Sequence, residues 1–91
     1  MNKVHKIIYR DNEITFIIQT EGETNFFWWS FTKDELRPYF EKHDAIKNMI
    51  NDNLTLEQAD TFVNSPDANE IGVGGGYYNS LEEVLEKVGD S

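Results

Sequence analysis

Apolar residues in the first third of the chain recur with the period of a strand. Val4, Ile7, Ile8 and Tyr9 predict a strand over Val4–Arg10, closed by Asp11-Asn12, whose side chains tolerate left-handed backbone and bond their own main chain. Ile14, Phe16 and Ile18 then alternate with Thr15, Ile17 and Gln19, the two-residue period of a strand with one strongly apolar face. Thr20–Thr24, centred on Gly22, turns the chain again, and Asn25–Phe31 reads as a third strand. Phe27, Trp29 and Phe31 lie on one side of it, and Phe26 and Trp28 on the other. A strand with two apolar faces belongs inside a sheet or under cover on both sides.

Helical spacing takes over from Thr32. Thr32-Lys33-Asp34-Glu35 is a capping box, in which the hydroxyl and the carboxylate each take an end amide of the other residue. Pro38 lacks the amide that a helix interior needs. The segment is therefore expected to divide into a short turn, Lys33–Leu36, and a main helix beginning near Pro38, with Phe40, His43, Ile46, Met49 and Ile50 on one stripe. Thr55-Leu56-Glu57-Gln58 repeats the box ahead of Leu56, Ala59, Phe62 and Val63, and Asn64-Ser65-Pro66-Asp67 ends that helix. Ser80-Leu81-Glu82-Glu83 opens a last helix with Leu81, Val84, Leu85 and Val88 on one face and Gly89 placed to end it. Glu70–Val73 is expected to add a short fourth strand beside the third and to run into a loop at Gly74-Gly75-Gly76. The predicted fold is α+β: a small antiparallel sheet of three to four strands with about three helices packed mainly on one face, in a single domain.

Charge changes what such a fold is expected to meet. The chain carries 17 acidic and 8 basic residues, a formal charge of −9. Nine of the carboxylates, against Lys87 alone, fall in residues 51–91, while residues 1–50 hold eight acids and seven bases. A field of one sign repels nucleic acid and anionic lipid and attracts basic surfaces. With no cysteine there is no disulfide, thiolate nucleophile or cysteine-bound zinc. Phe26–Trp29, the longest apolar cluster, is far short of the roughly 20 residues that span a bilayer. Residues 1–10 hold no apolar run of the signal-peptide kind, so the expectation is a cytoplasmic protein without a membrane partner.

Candidate chemistry is sparse. Gly72, Gly74, Gly75 and Gly76 suggest a phosphate loop, but position 77 is Tyr, no Gly-Lys-Ser/Thr follows, and Glu70, Glu82 and Glu83 flank the run. His5 and His43 lack the spacing of a metal pair, and His43 on an apolar stripe reads as a core-bonded histidine. No serine stands in a nucleophile elbow. Asp67, Asn69 and Glu70 form a fragment of a calcium loop without its alternation or its glycine.

These absences lead to no catalytic residues, no metal, no cofactor and no enzyme. The expected function is a small acidic protein-binding module, an inhibitor that blocks a basic surface of a nucleic-acid-handling protein without binding nucleic acid itself. Glu57, Asp60, Glu82, Glu83 and Glu86 would be its contacts on two acidic helices, with Trp28 as anchor and Tyr77 and Tyr78 at the glycine loop. That expectation requires the two helices to lie side by side, since a mimic of nucleic acid must set carboxylates in successive rows. The alternatives are a small-ligand domain using a Gly74–Tyr78 loop, and a structural subunit that self-associates through an uncovered aromatic face.

Overall fold

The structure, a computed structural model, describes residues 1–39 and 41–89. Its strands are β1 (Asn2–Tyr9), β2 (Glu13–Thr20), β3 (Phe26–Thr32) and β4 (Val73–Tyr78); its helices are α1 (Lys33–Leu36), α2 (Asp44–Ile50), α3 (Leu56–Val63), α4 (Pro66–Ile71) and α5 (Leu81–Val88). The strands form one antiparallel sheet in the order β1-β2-β3-β4, the expected α+β architecture with more helical segments than the sequence implied. Arg10 N–H donates to the Glu13 carbonyl at 2.8 Å to close the first hairpin, and Gly22 takes φ 87° in the second, where a side chain would be strained.

Pairing of β2 with β3 sets the two faces of the sheet. Ile14, Phe16 and Ile18 stand opposite Phe31, Trp29 and Phe27, while Thr15 and Ile17 stand opposite Ser30 and Trp28. The first set packs with Leu36, Ile46, Met49, Ala59, Phe62, Val63 and Ala68 from the helices α1 to α4. On the other face Ile8, Ile17 and Val84 form a smaller core with Phe26, Trp28 and Tyr78, covered by α5 alone among the described residues. Both aromatic faces of β3 are thus partly covered, with Phe26, Phe27, Trp28 and Trp29 each half-buried.

Three sequence expectations shift by local chemistry. The helix expected near Pro38 starts at Asp44, because Arg37–Tyr39 is a 3-10 turn and His43 is extended at φ −130° and ψ 119°. His43 is the N-cap residue instead of a member of the stripe, and Phe40 lies outside the described residues. Ser65-Pro66 ends α3 and also begins α4, with the Ser65 hydroxyl accepting from Ala68 N–H at 3.4 Å and proline at the position where a missing amide costs nothing. Glu70 consequently lies in α4, and the fourth strand begins at Val73 with Gly74, Gly75 and Gly76 inside it, not in a loop.

The glycines are there because the tryptophans need the space. Trp28 pairs with Gly75 and Trp29 with Gly74. A Cβ on Gly74 would stand 2.5 Å from Trp29 Cδ1, and one on Gly75 would fall inside the Trp28 indole. The two indoles therefore cross β4 on opposite faces, each filling the surface that glycine leaves bare. Beyond them Gly76 and Tyr77 oppose the single residue Phe27, a bulge in β4.

Candidate functional site

Helix α5 is placed by three devices. Ser80 Oγ accepts from Glu83 N–H at 3.2 Å, Glu83 Oε2 accepts from Asn79 N–H at 3.1 Å, and Gly89 ends the helix at φ 78°. Arg10 then ties the far end to the sheet. Its guanidinium donates to the Val88 carbonyl at 2.5 Å and to Thr15 Oγ1 at 2.9 Å, and Thr15 Oγ1 lies 2.8 Å from Ser30 Oγ. Thr15 is buried, so this chain of hydroxyls satisfies polar groups under the helix. With Val84 inward, Glu82, Glu83 and Glu86 are exposed on the outer side of α5. Trp28 and Tyr78 lie half-buried beneath the same helix.

Glu57 and Asp60 are elsewhere. They belong to α3, which packs on the opposite face of the sheet against β1, so the expected single wall of carboxylates does not form. The reason is topological: chain between α3 and α5 passes through β4, and α5 returns on the uncovered face. Glu57 is exposed, but Asp60 is half-buried and committed. Its Oδ1 accepts from Val4 N–H at 2.6 Å, while Asn64 accepts from Asn2 N–H at 2.8 Å and donates to Asn2 O at 2.9 Å. Helix α3 therefore closes the outer edge of β1 with side chains. Tyr77 is the most exposed tyrosine of the site, 77% accessible, its ring edge-on to Phe27 at 5.9 Å on the face away from α5.

The calcium-like fragment is a structural ion cluster. Asp67 in α4 is nearly buried, with Oδ2 2.8 Å from His43 Nε2 and 3.0 Å from Lys42 Nζ. Hydrogen bonds from His43 and then Lys42 hold the Asp67 carboxyl below the usual range, and the same contact raises Lys42. The His43 ring also packs edge-on against Phe62 at 5.6 Å. Among the described residues no group of three or more histidine or acidic side chains is arranged to hold a metal ion, and no buried side-chain polar atom lacks a partner.

Cavities lie on both sides of the molecule, and the segment expected as a glycine loop is itself strand β4. One, about 750 Å³, opens between the start of β1, the β2–β3 turn and α3, and is lined by Lys3, Gln19, Thr20, Asp60, Thr61 and Asn64 among others. A smaller one of about 220 Å³ is bounded by Glu13, Glu35, Trp28, Ser30, Thr32 and Val73, next to β4. Sequence reasoning missed Glu13 and Glu35 here because they come from the balanced half of the chain. No helix among the described residues is long and apolar enough to cross a membrane. Comparison with family models, curated proteins and solved structures finds no match to this chain.

Proposed function

We propose that the chain is a small acidic protein-binding module, an inhibitor that occupies a basic surface of a partner of the nucleic-acid-handling kind. The observation that carries this reading is the outer side of α5, where Glu82, Glu83 and Glu86 are exposed on the helix that covers the half-buried aromatic group of Trp28 and Tyr78. Clustered carboxylates raise the rate of encounter with a basic surface, and an aromatic contact slows release. Because α3 stands on the other face, the binding surface is α5 and its neighbour β4, and a two-helix imitation of a nucleic-acid backbone is not part of the reading.

Affinity capture of a basic protein, repeated with Glu82→Lys and Glu86→Lys together, tests it. Glu83 is left in place because it accepts from the Asn79 amide. Recovery is expected to fall about tenfold or more on charge reversal and to fall again at high salt, as screened charge pairs do. Recovery unchanged by both would overturn the electrostatic reading.

The cavity of about 750 Å³ favours a second reading, a small-ligand domain, since binding pockets commonly span about 300–1,000 Å³. A thermal-shift screen separates the two. A ligand at 100 times its Kd adds about 2.7 kcal/mol to the folded state, a rise in Tm of roughly 10–20 °C for a chain of this size.

A further inference from the structure

The two edges of the sheet are treated differently. On β1, Asn64 and Asp60 occupy the outward amides of Asn2 and Val4 and the Asn2 carbonyl. On β4, no hydrogen bond among the described residues reaches the backbone of residues 73–78 from outside the β3–β4 ladder. An edge strand turns roughly every second residue's N–H and C=O outward, and proteins ordinarily block such a row. Here it is flanked by the Trp28 indole on one face and the Trp29 indole on the other, both half-buried, with Val73 61% and Tyr77 77% accessible.

We infer that this edge docks an extended segment of a basic partner protein, which adds to the sheet as a fifth strand and sends a lysine or arginine side chain into the cavity formed by Trp28, Glu13 and Glu35. The inference rests on the proposed reading as a protein-binding module and adds where and how the partner is held. Backbone pairing supplies affinity in strand addition, and side-chain pockets along the added strand supply selectivity. A cavity of about 220 Å³ walled by an indole and two carboxylates is matched to a cationic side chain, by charge and by the ring's negative face. The Glu13 side chain is 44% accessible, and among the described residues its Oε1 is met only at long range, by Thr15 Oγ1 donating at 3.5 Å and by Arg10 at 3.9 Å, while Arg10 gives its short bonds to Thr15 and Val88.

A second copy of the chain fits this edge poorly. Each copy brings a formal charge of −9 and its own Gly76-Tyr77 bulge, so antiparallel pairing of β4 with β4 sets like charge against like and interrupts the ladder twice.

The test is selection of a random heptapeptide display library on the immobilised full chain, followed by synthesis of the enriched peptides. An alternating β-branched or aromatic pattern with Lys or Arg is expected. Methylating alternate backbone nitrogens of the peptide is expected to weaken binding at least tenfold, and this arm leaves the protein untouched. Glu13→Gln with Glu35→Gln is expected to weaken it about three- to tenfold, whereas Glu41→Gln with Glu57→Gln, which removes the same two charges outside this surface, leaves it unchanged. Amide chemical shifts of residues 73–78 are expected to move on titration. Binding that tolerates N-methylation, with shift changes confined to α5, overturns the strand-addition inference while the acidic-module reading stands. Enrichment of uncharged or acidic peptides, or concentration-dependent self-association that moves the same amides, overturns it in favour of another occupant. Recovery of no peptide, together with charge-insensitive capture, removes both.

Discussion

A methyl group is the most sensitive probe of this sheet. Gly75→Ala places carbon where the Trp28 indole lies, whereas Gly76→Ala adds it to open space. Gly75→Ala is expected to cost about 1–3 kcal/mol and to shift tryptophan emission, and Gly76→Ala to change stability by less than about 1 kcal/mol; urea unfolding followed by fluorescence separates them. Asp67 provides a pH signature of known sign. Its carboxyl is held below its ordinary value of 3.8 by the His43 and Lys42 contacts, so its contribution to stability is fully present above that value and is lost as the pH falls through the lowered one. Thermal unfolding between pH 2 and 5 is therefore expected to show a steeper acid loss for the natural chain than for Asp67→Asn. Nothing in the sequence marked Asp67 as this partner, because His43 is 24 positions away and meets it only through the packing of α4 on the His43 turn.

At the scale of elements, the caps at Thr32, Thr55 and Ser80 were legible in the sequence, whereas the Ser65 cap of α4 read as a helix stop because Pro66 follows it. Thr55 and Gln58 exchange both bonds of a capping box, and Ser80 and Thr32 each accept from the amide three residues on. Thr55→Ala is expected to cost about 1 kcal/mol by loss of the α3 cap, measured by denaturant unfolding. Arg10 is a different matter, since it bonds Val88 across 78 positions. Arg10→Ala is expected to release the end of α5 and to leave Thr15 Oγ1 and the Val88 carbonyl with one partner fewer each, at about 1–3 kcal/mol. Faster amide exchange in residues 81–88, with β2 protected as before, is the observation that checks it. The α2 boundary was misjudged for a physical reason as well: proline is compatible with a first helical turn, but here the backbone closes a 3-10 turn onto Tyr39 and restarts at Asp44.

The whole molecule is two unequal cores on one sheet. Phe31 is the hub of the larger one, with ring centroids 5.5 Å from Phe16, 5.2 Å from Phe62 and 6.3 Å from Trp29. Phe31→Ala is expected to cost about 3–5 kcal/mol, a large part of the 5–15 kcal/mol that holds an ordinary domain folded, and calorimetry would show it as a large fall in Tm. Alternation, cap spacing and helical stripes, all properties of residues within a few positions of each other, determined the α+β class, the two hairpins and the order of the strands, and composition the acidity of the later half, while α4 went unread. Which edge of the sheet is closed, which face α5 covers and that Glu57 and Asp60 stand apart from Glu82, Glu83 and Glu86 were decided by tertiary packing. The physical reason is that strand and helix periods specify which side of an element is apolar, whereas the choice of face for a returning helix depends on which apolar surface earlier elements have left uncovered. On this sheet that surface was the side carrying Ile8, Ile17, Phe26 and Trp28.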